Sequence, residues 1–140
     1  AIKVRQYEKF SIELKANPNT GYQWILDNNN TLSNSEIIKY SGSDNTGRYV
    51  SGKEDGKVGV GGLFLFDFYA YSEGEELIEL SYKRVWEKET EPVHIVKIYV
   101  YVQNESFYGL GLSSRCDYMS YKLIRLLLFG FIFILNFYPN

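Results

Sequence analysis

Two neighbouring runs of alternating residues limit what this chain can fold into. Residues 63–71 read LFLFDFYAY and residues 78–82 read IELSY, so every second side chain in each run is apolar. A period of two is typical of a β-strand with one buried face and does not suit a helix. Because Ser72, Glu73 and Gly74 between the runs favour a turn, the two strands are predicted to pair as a hairpin.

The same period recurs through the rest of the first 102 residues. Strands are predicted at residues 10–14, 22–26, 37–40 and 96–102, with one irregular strand around residues 48–51. The chain has 13 Tyr, 9 Phe and 2 Trp, residue types that pack well on pleated surfaces. No helical stripe is visible in this part of the sequence. The pattern predicts an all-β fold, an immunoglobulin-like antiparallel β-sandwich of about 100 residues.

The composition changes near residue 103. It divides the chain into a body, residues 1–103, and a tail of unassigned structure, residues 104–140. The apolar segment of the tail, residues 123–138, is 16 residues long and contains Arg125 and Asn136. Roughly 20 apolar residues are needed to span a bilayer, so membrane contact through the tail is marginal. A buried or partner-docked segment and an extension with no role in the fold are the alternatives.

Charge and cysteine content exclude several classes of protein. Fifteen Lys and Arg against 17 Asp and Glu give a formal charge of -2, which does not provide the basic surface of a nucleic-acid binder. A single Cys cannot form a disulfide within the chain. The sequence begins AIKVRQ, without an initiator Met or an apolar leader, so no signal peptide is expected in this chain.

Catalytic chemistry finds little support in the sequence. A cysteine protease built on Cys116 and His94 would need a third group to orient the pair, and neither residue has one nearby in the sequence. The glycine-rich residues 57–62 precede a strand instead of a helix and lack the Lys-Ser/Thr ending of a phosphate-binding loop. The sequence therefore predicts no enzyme, no cofactor and no metal site.

Three segments between strands have features that simple connections do not need. They are Asn17, Pro18, Asn19, Thr20, Gly21 and Tyr22; Gly59, Val60, Gly61 and Gly62; and Arg84, Val85 and Trp86. In the first segment Pro fixes its own φ at about -65° and Gly tolerates a positive φ, which makes a stiff, projecting turn.

The other two segments differ from the first. Three Gly in four residues let the second backbone approach another surface closely, and the third brings together Arg and Trp, which are enriched at binding hot spots. Taken singly, the three segments can equally be a tight turn, a loose loop, and a core Trp beside a surface Arg.

Together and in this order, the three segments resemble the chagasin family of cysteine-protease inhibitors. Members of that family carry an NPTTGY-type loop, a GxGG loop and an RPW loop on an immunoglobulin-like sandwich. The similarity covers about residues 2–102, and the tail has no counterpart. Asn19 stands where the family usually has its first Thr, and Val85 replaces the Pro.

The resemblance implies a reversible, tight-binding protein inhibitor of papain-like cysteine proteases of the cathepsin L type, located in the secretory pathway, in vesicles or outside the cell. It implies that the three loops enter the active-site cleft as a wedge. Asn19 and Thr20 would lie over the catalytic centre of the protease, the glycine loop would line one wall, and Trp86 with Arg84 would grip the other.

The alternative is an immunoglobulin-like adhesion or scaffold module that has no protease target and binds through a sheet face. The position of the exposed side chains separates the two hypotheses. Clustering of Asn19, Gly61 and Trp86 at one end of the sandwich would favour the inhibitor.

Overall fold

The structure is a computed structural model, and it describes residues 1–52, 61–104, 121–126 and 133–136. The strands in these residues are β1 (Ile2–Arg5), β2 (Lys9–Ala16), β3 (Gln23–Leu26), β4 (Ile38–Tyr40), β5 (Arg48–Val50), β6 (Gly62–Ala70), β7 (Gly74–Lys83), β8 (His94–Gln103), β9 (Tyr121–Leu126) and β10 (Phe133–Asn136). A short 3-10 helix (Pro18–Thr20) follows β2, and helix α1 (Asn29–Asn34) follows β3.

The strands form two sheets. Sheet A has the order β1-β8-β7-β3, and sheet B has the order β10-β9-β2-β6-β4, with β5 also paired to β6. All pairs are antiparallel except β1 with β8 and β2 with β9, which are parallel. The fold is therefore the predicted immunoglobulin-like β-sandwich, with two parallel pairs that the sequence pattern did not reveal.

The core lies between the two sheets. Sheet B contributes Phe10, Ile12, Leu14, Phe64, Phe66 and Phe68, and sheet A contributes Trp24, Leu26, Ile78, Leu80, Ile98 and Val100. The rings of Phe10 and Phe68 stack with centroids 5.3 Å apart. Full burial of each such side chain stabilises the fold by roughly 1.5–3 kcal/mol, so the inward faces of these strands supply a large part of the driving force for folding.

The predicted hairpin between the first two runs is wrong. Strands β6 and β7 belong to different sheets, where β6 pairs with β2, β4 and β5, and β7 pairs with β3 and β8. After β6 the chain crosses to the other sheet, and the backbone N–H groups of Tyr71 and Ser72 donate to the carbonyl of Ile37. Both runs bury their apolar faces in the same core, and a period of two defines a face but not a neighbour.

Two further elements were not predicted. Strand β1 is short, and helix α1 has six residues, of which only Leu32 is buried, so no apolar stripe could mark it. Ahead of the helix, the side chain of Asn28 continues the β3–β7 ladder. Its Nδ2 donates to the carbonyl of Leu77 at 2.6 Å, and its Oδ1 accepts from the N–H of Glu79 at 3.0 Å.

Part of the tail extends sheet B. Strand β9 lies parallel to β2, with Lys9 opposite Tyr121 and Leu14 opposite Leu126, and β10 pairs with β9. Within the described residues, no helix is long and apolar enough to cross a membrane. The domain boundary at residue 103 stays a prediction.

Candidate functional site

Strand register brings the bases of the three singled-out segments to one end of the sandwich. Ala16 at the end of β2 is paired with Gly62 at the start of β6, so the start of the first segment lies beside the end of the second. Gln23 at the start of β3 is paired with Lys83 at the end of β7, which puts the third segment beside the first. We call this end of the molecule the loop end.

The first segment is a compact turn held by Asn17. Its carbonyl accepts from the N–H of Thr20 at 3.2 Å and from the Thr20 hydroxyl at 2.7 Å. Its side-chain Oδ1 accepts from the N–H of Asn19 at 3.2 Å. These bonds close the 3-10 turn of Pro18–Thr20 and leave the side chain of Asn19 exposed at its tip.

A buried Trp anchors the base of this turn. Trp24 has no exposed surface, and its indole Nε1 donates to the carbonyl of Lys15 at 3.1 Å. Its ring lies 5.0 Å from that of Tyr82, which also stacks on Tyr22 at 5.3 Å. Because a buried indole N–H needs an acceptor, this bond ties the end of β2 to β3 across the neck of the first segment.

The third segment is bonded to the first through Arg84. The guanidinium Nε donates to the carbonyl of Thr20 at 3.2 Å, and Nη1 donates to Glu87 Oε1 at 3.0 Å. The guanidinium carbon also lies 4.5 Å from the centroid of the Tyr22 ring, in cation–π geometry. The hydrogen bond with Glu87 raises the pKa of Arg84 above its ordinary value.

Trp86 also joins the third segment to the first, by packing against Gly21. Gly21 has a φ of +77°, and a Cβ added to it would lie 2.7 Å from Cζ2 of the Trp86 ring. The indole is nevertheless 64% exposed, and its neighbour Val85 is 49% exposed. Trp86 is therefore not a core residue, and that interpretation of the third segment is wrong.

The second segment is described only in part. Gly59 and Val60 lie outside the described residues, and Gly61 and Gly62 are within them. A Cβ on Gly61 would lie 3.0 Å from the Ala16 carbonyl oxygen, so the backbone runs close to the end of β2. A side chain there would push the second segment away from the first.

Of the two residues considered for catalysis, the structure describes only His94. His94 begins β8 and stacks on Tyr82 with centroids 6.1 Å apart, while Cys116 lies outside the described residues. Where the structure is described, no three His, Cys, Asp or Glu side chains are grouped to hold a metal ion.

One contact of the loop end was missed in the sequence. Glu87 was not among the predicted site residues, although it binds Arg84 and its backbone N–H donates to the Arg84 carbonyl at 3.2 Å. The spacing of three residues was the available signal, because it is the separation that a single turn closes. Nothing in the sequence showed that the same Arg reaches Thr20.

The described residues form a β-sandwich whose first and third segments are joined at the loop end. A model of the chagasin family of peptidase inhibitors (I42) matches residues 3–100, and the chain belongs to that family. Amoebiasin-1 of Entamoeba histolytica is 33% identical to this chain over 86 residues, which are 61% of this chain and 74% of amoebiasin-1.

A solved structure resembles this one in fold. The crystal structure of the cysteine protease inhibitor EhICP2 from Entamoeba histolytica aligns with a TM-score of 0.54 at 21% identity, covering 73% of this chain and 85% of EhICP2. These matches confirm the family resemblance and the fold class. They also confirm that the chain is of the protease-inhibitor type and not an enzyme.

Proposed function

We propose that this protein is a reversible, tight-binding inhibitor of papain-like cysteine proteases that blocks the active-site cleft with its loop end. One observation carries the proposal: in a member of this inhibitor family, Arg84 and Trp86 join the first and third segments into one exposed edge. That edge follows the ends of β2 and β7, and Asn19 is exposed in its 3-10 turn. Exposed loops of this kind can enter a cleft, whereas a sheet face cannot.

The inhibition needs steric occlusion and no chemistry. A wedge that fills the cleft excludes substrate, and no covalent bond to the protease is required. Side chains and loops that are ordered before binding lose little conformational entropy on docking. The hydrogen bonds of Asn17 and Arg84 supply this order in the free protein.

The residues divide by exposure into those that would touch the protease and those that hold the wedge. Asn19, Thr20, Val85 and Trp86 are exposed and would form the contact surface. In this proposal Asn19 and Thr20 cover the catalytic centre, and the glycine segment lines one wall of the cleft. Trp86 packs against the other wall, as an aromatic hot spot that becomes buried on binding.

The target class is proposed from the family to which the chain belongs. We propose papain-like proteases of the cathepsin L type as partners, in vesicles of the secretory pathway or outside the cell. An inhibitor acts only where it meets its protease, so fractionation of cells with an antibody to this chain tests the compartment.

An inhibition assay tests the function. The purified chain should inhibit papain and cathepsin L competitively, and should leave trypsin and thermolysin unaffected, because their clefts have other shapes. Circular dichroism must show an intact β-fold in the same sample. No inhibition of any papain-like protease at micromolar concentration by the folded protein would refute the proposal.

One observation favours the adhesion module as a second candidate. On the outer face of sheet A, Ile95, Tyr99 and Tyr101 of β8 are exposed by 59%, 46% and 37%. Substituting Tyr99 with Lys should abolish binding to a partner that uses this face. The same substitution should leave protease inhibition unchanged, because Tyr99 is far along β8 from the loop end.

A further inference from the structure

The guanidinium of Arg84 makes three contacts within its own chain. It bonds the carbonyl of Thr20 and the carboxylate of Glu87, and it lies over the ring of Tyr22. With these contacts the side chain is 35% exposed. Two of the three contacts, with Thr20 and Tyr22, direct the guanidinium toward the first segment.

We propose that Arg84 and Glu87 are positioning residues, in which the Glu87 carboxylate holds the Arg84 guanidinium against the Thr20 carbonyl and so joins the first and third segments before the protease arrives. This differs from the expectation that Arg84 grips the wall of the cleft. The proposal deepens the inhibitory function and rests on it only for the effect on protease binding.

Glu87 is placed to orient the guanidinium because of the local backbone. The bond from the Glu87 N–H to the Arg84 carbonyl closes a turn over residues 84–87, which returns the carboxylate to the guanidinium. Arg84 follows directly after β7. Without the ion pair its long side chain would have many rotamers available. A charge-assisted hydrogen bond is stronger than a neutral one, so the ion pair selects the rotamer that reaches Thr20.

The Thr20 carbonyl is the group through which Arg84 orders the first segment. It lies at the end of the 3-10 turn, next to Gly21 and therefore beside the Trp86 ring. Fixing this carbonyl sets the distance between the tip of the first segment and the indole of the third. The planar, forked guanidinium can bond two acceptors at once, whereas an ammonium group lacks this fixed geometry.

The test uses three variants of the full chain: Glu87→Ala, Arg84→Ala and the double variant that combines the two. Glu89→Ala is the control. Glu89 is a suitable control because it carries the same charge in the same loop and is exposed, with no hydrogen bond or ion pair in the part of the chain that the structure describes. Thermal unfolding of each variant shows whether the sandwich is intact.

The first measurement is made on the free protein and needs no protease. Backbone ¹⁵N relaxation should show that residues 19–22 become more mobile in Glu87→Ala and in Arg84→Ala, and remain unchanged in Glu89→Ala. Residues 19–22 lie in a different loop from Glu87, so a purely local effect would not reach them. Unchanged mobility of residues 19–22 in Glu87→Ala would overturn the proposal.

The second measurement is the inhibition constant against papain. Arg84→Ala and Glu87→Ala should each weaken inhibition by about fivefold or more, Glu89→Ala should stay within about twofold, and the double variant should match Arg84→Ala, because coupled residues are not additive. Additive effects would mean that Arg84 acts independently of Glu87 and would overturn the proposal. If the parent chain does not inhibit, the proposed function fails, and the relaxation measurement alone decides whether the two residues join the loops.

Discussion

The six-membered ring of Trp86 lies directly over Gly21, so close that the position has no room for a Cβ atom. The two residues belong to different segments, 65 positions apart in the chain, and meet at the loop end. Gly21 also has a φ of +77°, a backbone conformation that residues with a side chain rarely adopt. The absence of a side chain at one residue is thus what lets the indole of the other pack against the first turn.

Gly21→Ala should therefore disturb both segments. A positive φ costs an L-residue about 1–2 kcal/mol, and the added methyl group must displace the indole. We expect a lower free energy of unfolding in urea and weaker inhibition of papain. In a Trp86→Ala background the displacement no longer matters, so the effect of Gly21→Ala on inhibition should shrink there. An equal loss of inhibition in both backgrounds would show that the contact has no role in binding.

Trp86→Ala should weaken inhibition without unfolding the protein. Removing an aromatic hot spot costs about 2 kcal/mol of binding free energy or more, mostly through faster dissociation, and surface plasmon resonance measures both rates. The other Trp is the matched control: Trp24 is fully buried, and Trp24→Ala should destabilise the fold by about 3–5 kcal/mol. Loss of stability in Trp86→Ala with normal affinity per folded molecule would contradict this assignment.

Asn19 provides a test of the tip. Asn19→Thr introduces the residue usual in the family and should change inhibition by about 1 kcal/mol in either direction, to different extents for different proteases. Asn19→Arg would bury an unpaired charge in the cleft, at a cost of several kcal/mol. Gln103→Arg, at the far end of β8, is the control for the added charge. Equal inhibition constants for Asn19→Arg and the parent would show that this tip does not enter the active site.

Ending the chain after Asn104 should leave the fold and the inhibition intact. Within residues 1–104, the buried apolar residues lie between Ile2 and Val102, so the truncated chain keeps this core. It also loses the apolar run 126–135, and solubility should improve. The pairing of β9 with β2 is lost as well, so a modest fall in melting temperature is expected. A truncated protein that does not fold would make the tail part of the core.

Tyr40 makes the stability dependent on pH in alkaline solution. Burial, with Asp44 nearby, raises the pKa of its phenol to about 12, above the usual value of about 10 in an unfolded chain. The folded protein therefore holds this proton more tightly, and the corresponding stability is complete below pH 10 and lost as the pH rises toward 12. In urea unfolding, the free energy of unfolding of the parent should fall between pH 8 and pH 11.5 by about 1–2 kcal/mol more than that of Tyr40→Phe. A constant difference would contradict the assignment.

The faces of the strands were predictable from the sequence, but their partners were not. The alternation in residues 63–71 and 78–82 correctly identified Phe66 and Ile78 as buried. It could not show that the two strands lie in opposite sheets, because both packings bury the same side chains. That choice depends on the crossing near Ile37, where long-range backbone bonds form.

For the candidate site, too, the segments were predictable from the sequence but the contacts between them were not. The order and residue types of the three segments revealed the family, and Pro18 and Gly21 predicted the turn because Pro fixes its φ and Gly tolerates a positive φ. The contacts between segments depend on how two turns are oriented, so neither the bond from Arg84 to Thr20 nor the packing of Trp86 on Gly21 could be read from the chain. Trp24 lies within a strand and is buried, whereas Trp86 lies beyond the end of one and is exposed.

The 3-10 turn of the first segment should resist cleavage by a protease that binds it. A peptide bond is hydrolysed only when its carbonyl carbon reaches the attacking atom in the right orientation. In this turn the carbonyls of Asn17 and Thr20 are already occupied, by the Thr20 N–H and by Arg84, and the chain is wound into a 3-10 turn. A protease that meets this loop is offered no extended stretch to cut, so the protein should leave the encounter unhydrolysed and be able to block a second enzyme molecule.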